Sequence, residues 1–328
     1  METTSVHDTV VQGTAQDAAD SRQSACLQGY FEDPFASQFV RRPTRRSPVV
    51  NRGTYCRFIG LHSILRKFLA TCRDQGQASQ IVSLGAGSDT TFFLLYHLGL
   101  APTRFFEVDF PEVTSRKCLK IHQKKALRNC LDQDTVQVGK NGTELYSPSY
   151  TLLAGDLRCF PTELGPQLLA QGLDPSVPTL FLSECVLIYM DSPHADAIIR
   201  WAATHMLSTF FLTYEQIQPE DAFGQMMISN LRQRGLELRG ITAYPDLASQ
   251  AQRYRDLGWE HSQALSIKEI YHALPKNEID RINRLEMLDE LEEFDLLGDH
   301  YCITWAFKTA DTNLRQSWQH IRPTNLSS

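Results

Sequence analysis

The chain has 328 residues, 42% of them hydrophobic and 21% charged, with a formal net charge of -6. That is the composition of a globular protein with room for one large core, and it resembles neither collagen nor a coiled coil nor a membrane protein. The negative balance argues against a dedicated nucleic-acid binder, which needs a basic surface to neutralise phosphates. The eight cysteines form no C-x-x-C pair and no paired Cys/His block, so no metal site is expected.

From the N-terminus, residues 1–21 are polar with little periodicity and read as a disordered tail. They carry no apolar core of signal-peptide length. Arg41, Arg42, Arg45 and Arg46 follow as a basic run broken by Pro43 and Pro48. It reads either as a solvated loop or as a lid or docking segment beside the site. From Phe58 to Cys72 the residues Phe58, Leu61, Ile64, Leu65, Phe68 and Leu69 keep a helical period.

Short apolar runs then alternate with helical stretches. Strands are predicted at Gln80–Leu84, Arg104–Asp109, Tyr150–Ala154, Thr179–Glu184 and Thr209–Tyr214. Helices are predicted at Asp89–Leu98, Pro111–Leu127, Glu163–Gln171 and Pro193–Met206. Asp191 and Ser192 precede Pro193 as a helix-start signal. Such alternation implies a doubly wound α/β fold with a mostly parallel sheet covered on both faces. Helices at Ala222–Arg234 and Leu247–Leu257, strands at Trp259–Leu265 and Tyr301–Lys308, and an exposed acidic helix over Glu286–Asp295 complete the layout. A single domain over 22–310, with an N-terminal helical lid and a C-terminal tail at 311–328, is the expected organisation.

Candidate site residues gather at the ends of the predicted strands. Leu84-Gly85-Ala86-Gly87 is a strand entering Gly-x-Gly, where glycine lets the backbone turn tightly and approach a ligand. A dinucleotide fingerprint needs a third glycine where Thr90 stands, and no Walker lysine follows. A plain structural turn is the alternative. Asp109 ends the second strand, where it can accept hydrogen bonds from ribose hydroxyls or cap the helix starting at Pro111. Asp156 follows the third strand, and Glu184 interrupts the apolar fourth. A carboxylate buried without a partner is costly, so Glu184 is expected to face a cavity, a ligand or a base. Acids without a phosphate partner suit a cationic sulfonium and its amine.

The strings Asn51-Arg52-Gly53-Thr54-Tyr55-Cys56-Arg57, Leu84-Gly85-Ala86-Gly87-Ser88-Asp89-Thr90-Thr91-Phe92, Phe106-Glu107-Val108-Asp109-Phe110-Pro111 and Glu184-Cys185-Val186-Leu187-Ile188-Tyr189-Met190 closely resemble the leucine carboxyl methyltransferase family. So do Tyr214-Glu215-Gln216, Phe223-Gly224-Gln225-Met226-Met227 and His300-Tyr301-Cys302, in collinear order from about Gly29 to Ala306. The resemblance implies a seven-stranded sheet of the class I type with a final antiparallel hairpin. It implies S-adenosyl-L-methionine as cofactor, held by Arg57, Gly85, Gly87, Asp109, Asp156, Leu157 and Glu184. Arg22 falls where the family carries a further basic contact, by counting back from Gly29-Tyr30. The implied substrate is the C-terminal leucine carboxylate of the protein phosphatase 2A catalytic subunit. A monomer, cytoplasmic or also nuclear, with no nucleic-acid or membrane partner, is expected. The family's other eukaryotic branch acts on a modified guanosine in transfer RNA and carries an added repeat domain, and no such repeat pattern occurs in this sequence.

A terminal carboxyl has a pKa of about 3.5 and is already anionic at neutral pH, so the reaction needs alignment and no general base. Arg57 is the expected holder of that anion, because a guanidinium binds carboxylates in a fixed fork; the carboxylate of the cofactor is its other possible partner. Tyr189 and Tyr214 could donate to the leucine carboxylate or be core tyrosines. Three other readings stay open: a small-molecule carboxyl methyltransferase, a non-catalytic cofactor-binding regulator, and a nicotinamide-dependent dehydrogenase, which the missing third glycine opposes.

Overall fold

The computed structural model describes residues 6–132, 134–289 and 291–323. Nine strands form one sheet: β1 Gln80–Leu84, β2 Arg104–Asp109, β3 Gln137–Gly139, β4 Glu144–Tyr146, β5 Tyr150–Ala154, β6 Thr179–Glu184, β7 Ser208–Gln216, β8 His261–Ser266 and β9 Tyr301–Thr309. Their order is β3-β4-β5-β2-β1-β6-β7-β9-β8. β5, β2, β1, β6 and β7 run parallel, and β9 inserts antiparallel between β7 and β8. The seven expected strands are all present. The sheet departs from expectation by the small antiparallel hairpin β3–β4 on the β5 edge. Its strands have three residues each, too few to show a period of two.

The α-helices of six or more residues are α1 Val6–Leu27, α2 Pro48–Asp74, α3 Thr91–His97, α4 Pro111–Gln123, α5 Gly165–Ala170, α6 Ser192–His205, α7 Ala222–Gln233, α8 Leu247–Asp256, α9 Ile267–His272, α10 Lys276–Leu285, α11 Leu291–Asp299 and α12 Thr312–Trp318. Alternate residues of each central strand feed two cores. Ile81, Phe105, Leu180 and Phe210 pack on one face with Phe68 of α2 and Trp318 of α12. Val82, Phe106, Phe181 and Phe211 pack on the other with Trp201 of α6 and Tyr254 of α8. This is the doubly wound arrangement that the strand–helix alternation implied.

Three expectations are corrected. Residues 6–21 are not a disordered tail: they form most of α1, whose buried face is Asp8, Gln12, Ala19, Gln23, Ser24 and Ala25. That face is too polar to register as a hydrophobic stripe, and it is held by polar contacts instead, Asp8 to Arg158 at 3.1 Å and Gln12 to Glu112 at 3.3 Å. Residues 1–5 lie outside the described residues. The expected C-terminal tail begins as α12, with Asp311 capping it through bonds from the N–H groups of Asn313 and Leu314, and Trp318 fully buried. Residues 324–328 of that tail are outside the described residues. The acidic helix runs over Leu291–Asp299, later than expected, and buries Phe294. Glu286 lies before it as a buried acceptor for Asn51 at 2.8 Å.

That contact also explains why α2 starts at Pro48, well before Phe58. Its first turns bury Asn51 and Arg52, and Arg52 donates to Asn283 at 2.8 Å and to Tyr271 at 3.1 Å. Polar residues in a buried position break the apolar period that sequence patterning follows.

Candidate active site

At the carboxyl edge of the parallel strands lies a cavity of about 500 Å³. Small-molecule sites run to about 300–1,000 Å³. Arg22, Arg57, Gly85, Gly87, Asp109, Asp156, Leu157, Glu184, Tyr189 and Tyr214 all line it. The fold thus brings together every residue expected to hold the cofactor or the substrate carboxylate, whereas Arg41, Arg42, Arg45 and Arg46 do not line the cavity.

The glycine turn after β1 forms one end. Gly85 has φ +61° and Gly87 φ +52°, the left-handed region. A Cβ at Gly85 would stand 2.5 Å from Val186 Cγ2, and one at Gly87 would stand 3.0 Å from the Cβ of Ala15 in α1. Neither position has room for a side chain. Asp109 at the end of β2 accepts from the Gly87 N–H at 2.6 Å and from the Phe110 N–H at 2.7 Å. Burial pushes its carboxyl up to about 6, against the pull of those two bonds. Asp109 therefore shapes the glycine turn as well as facing the cavity; it does not cap the helix that follows, whose N-cap is Phe110 with no side-chain cap bond.

Arg57 and Glu184 form the opposite wall. The register pairs Glu184 of β6 with Tyr214 of β7, and Arg57 reaches down from α2 to donate through Nε to Glu184 Oε2 at 2.8 Å. Its guanidinium lies over the Tyr214 ring at 4.7 Å. Burial alone would lower the arginine pKa, but Glu184 outweighs it and the group is held charged. Among the described residues only Nε of Arg57 has a hydrogen-bond partner, so the terminal amines are left to the cavity. Tyr214 is stacked on Tyr301, with ring centroids 5.3 Å apart. It acts here as a platform for Arg57, while burial raises its hydroxyl pKa well above the ordinary value. Tyr189 lines the cavity from the turn after β6, and burial raises its pKa too.

Of the three remaining expected contacts, Leu157 is a buried lining residue and the other two are engaged within the protein. Asp156 accepts from Arg158 Nε on both carboxylate oxygens, at 3.0 Å on Oδ1 and 2.9 Å on Oδ2, and from the terminal amine on Oδ2 at 2.5 Å, and it caps the turn that begins at Leu157. Arg22 donates to Asp89 at 2.8 Å and to Thr90 at 2.5 Å, and sits 3.7 Å from Asp33. Thr90, which stands where a dinucleotide site has glycine, is thereby a buried part of the scaffold.

Sequence reasoning missed four contributors. Ala15 and its helix close the glycine turn, Arg158 ties Asp156 to Asp8 of α1, and Tyr301 backs Tyr214. Glu215, buried at the end of β7, accepts from three successive N–H groups, Val186 at 3.4 Å, Leu187 at 3.2 Å and Ile188 at 3.1 Å. It holds the turn that carries Cys185 at φ +54° and leads from Glu184 to Tyr189. The signal used for Glu184, an acid inside an apolar run, was equally present at Glu215.

The sequence profile described as leucine carboxyl methyltransferase matches residues 10–203. The chain is 38% identical to a leucine carboxyl methyltransferase 1 homolog of Arabidopsis thaliana, over 92% of this chain and 90% of that one. It is 37% identical to leucine carboxyl methyltransferase 1 of Bos taurus, over 93% and 92%. This chain belongs to the leucine carboxyl methyltransferase family. It is an enzyme of the methyltransferase class, and its mostly parallel sheet with N-terminal helices is the class I form expected above. A human tRNA wybutosine-synthesizing protein 4 is also 38% identical over 90% of this chain, but over only 44% of its own length. Among solved structures, a DUF574 family protein from Streptomyces avermitilis is 14% identical with a TM-score of 0.48, covering 88% of this chain and 96% of that one.

Proposed function

We propose that this enzyme methyl-esterifies the C-terminal leucine carboxylate of a protein, the catalytic subunit of protein phosphatase 2A, with S-adenosyl-L-methionine as methyl donor. The observation that supports this most is Arg57: a half-buried, permanently charged guanidinium with one nitrogen anchored on Glu184 and its terminal amines turned to the cavity. The donor set suits the cofactor. The cradle of Gly85 and Gly87 leaves little space for a Cβ, Asp109 stands beneath it, and among the described residues no lysine lines the cavity. When bound, the cofactor supplies an electrophilic methyl on a sulfonium.

Everything else is positioning by the chain. The substrate carboxylate is already an anion and needs no base. Arg57 holds one oxygen by charge-assisted hydrogen bonds and leaves the other free to attack. Glu184 and the Tyr214–Tyr301 stack fix the guanidinium in one orientation, and Tyr189 supplies a hydroxyl beside it. Orientation of this kind is worth about 7–11 kcal/mol in intramolecular reactions. α1 and α2 wall the cavity and exclude water, which strengthens each electrostatic contact. A cytoplasmic or nuclear location and a monomeric state belong to the same reading; cell fractionation and size-exclusion chromatography test them.

The deciding assay offers labelled S-adenosylmethionine and phosphatase catalytic subunit, either intact or lacking its last leucine. Base-labile label is expected on the intact protein alone. Label on transfer RNA instead would move the enzyme to the substrate class named by its tRNA-modifying relatives, and label on short free acids only would make it a small-molecule enzyme.

A further inference from the structure

The basic run Arg41–Arg46 divides in the fold. Arg45 turns to the buried Glu286 at 3.1 Å, and Arg46 reaches Asp17 and Asp20 of α1 at 3.7 and 3.6 Å. Arg41 and Arg42 do not join them. Both are exposed, and among the described residues neither has a carboxylate within 4.0 Å.

The outward pair meets a second set of cations. Along α4 and its C-terminal cap, Arg116, Lys120 and Lys124 recur every fourth residue and so share one helix face. Lys120 donates to the Phe39 carbonyl at 2.5 Å and lies over the Phe39 ring, which ties the loop just before Arg41 to this helix. Burial lowers the pKa of Lys120, and the charges of Arg41, Arg116 and Lys124 add to it, against the opposing charge of Asp20. Arg116 and Lys124 are exposed and, among the described residues, form no ion pair. Like charges at i, i+4 destabilise a helix. A chain of net charge -6 nonetheless gathers Arg116, Lys120 and Lys124 beside Arg41 and its neighbour Arg42, with Glu112 as the acid one turn before Arg116 on the same helix face. The face begins one turn beyond Val113, which lines the cavity.

We propose that Arg41, Arg42, Arg116, Lys120 and Lys124 form a docking surface for an acidic face of the folded protein whose C-terminus enters the cavity. The inference rests on the protein-substrate reading above. A chain terminus threaded into a cavity offers few contacts, and steering by an opposed charge field raises encounter without touching the chemistry. The ligand at the reacting end is a carboxylate and the chain as a whole is acidic, which favours an acidic protein surface over a polyphosphate.

The test compares wild type with R41E/R42E/K124E, all at exposed positions, using phosphatase catalytic subunit and a short peptide of the same C-terminal sequence as substrates. Expected for the variant is a KM for the folded substrate raised at least about tenfold at low salt, with the wild-type salt dependence lost. Turnover at saturation, activity on the peptide and affinity for S-adenosylhomocysteine stay unchanged. R41A/R42A/K124A, which deletes charge without reversing it, is expected to lie between the two and guards against misfolding of the first variant. An unchanged KM for the folded substrate, or an equal loss on the peptide, overturns the docking surface. So does tight binding of transfer RNA by wild type that the variant loses, which would assign the face to nucleic acid. A wild type that does not label the phosphatase at all removes the substrate reading and the docking proposal with it; failure of docking alone shows only in the comparison of variant with wild type.

Discussion

Arg57 donates through Nε to Glu184 at 2.8 Å, joining the helix before the sheet to the end of β6 across 127 positions of chain. The bond leaves the two terminal amines of the same guanidinium free for a ligand. One planar group thus both locks the wall and presents the charge.

Arg57→Lys keeps the charge and loses that division of labour, because one ammonium cannot anchor on Glu184 and present a fork. Turnover is expected to fall at least about tenfold, about 1.4 kcal/mol in the barrier, while the circular dichroism spectrum stays that of wild type. Steady-state kinetics at saturating phosphatase decide it; equal kcat would remove Arg57 from the reaction.

Gly85→Ala forces a side chain into the left-handed region and against Val186. The backbone strain alone is about 1–2 kcal/mol. Chemical denaturation should show at least that loss, together with weakened S-adenosylhomocysteine binding by calorimetry. Full affinity in the folded variant would mean that the turn does not touch the cofactor.

The carboxyl of Asp109 sits at about 6, raised by burial above its unfolded value of 3.8. A raised acid contributes stability that is fully present below about pH 4 and is lost as pH climbs through about 6. Ligand affinity runs the other way if the charged form accepts the ribose hydroxyls. S-adenosylhomocysteine is expected to bind about tenfold more weakly near pH 5 than above about pH 7. In Asp109→Asn the affinity is weak throughout and that part of the pH dependence is gone; an unaltered pH profile in the variant would show that another group titrates.

Deleting residues 1–21 removes Ala15 from the glycine turn and Asp8 from Arg158. Calorimetry should record at least a tenfold loss of S-adenosylhomocysteine affinity, about 1.4 kcal/mol. A truly unstructured tail would leave affinity untouched.

Trp318→Ala empties a fully buried site between Phe68, Phe210 and Phe307. A loss of about 3–5 kcal/mol is expected by chemical denaturation. A change within a few tenths would mean that α12 contributes nothing to the core.

The central strands β1, β2, β5 and β6 were legible in the sequence to the residue, because a strand buried on both faces is an apolar run with abrupt ends. The site acids were legible for the complementary reason: an acid breaking or ending such a run must face something polar. Short range, those signals hold within a few residues and need no partner. They placed Gly85, Asp109, Asp156 and Glu184 at one edge of the sheet.

What depends on contacts far apart in the chain was decided only by tertiary structure. The polar helix α1 has no apolar stripe and exists against Arg158, Arg234 and Asp89. The run Arg41–Arg46 reads as one basic segment until Glu286, Asp17 and Asp20 pair with two of its members and leave Arg41 and Arg42 exposed. Burial pattern is written locally, residue by residue, whereas the pairing of charges is a property of which surfaces meet, and that is settled only when the chain closes on itself.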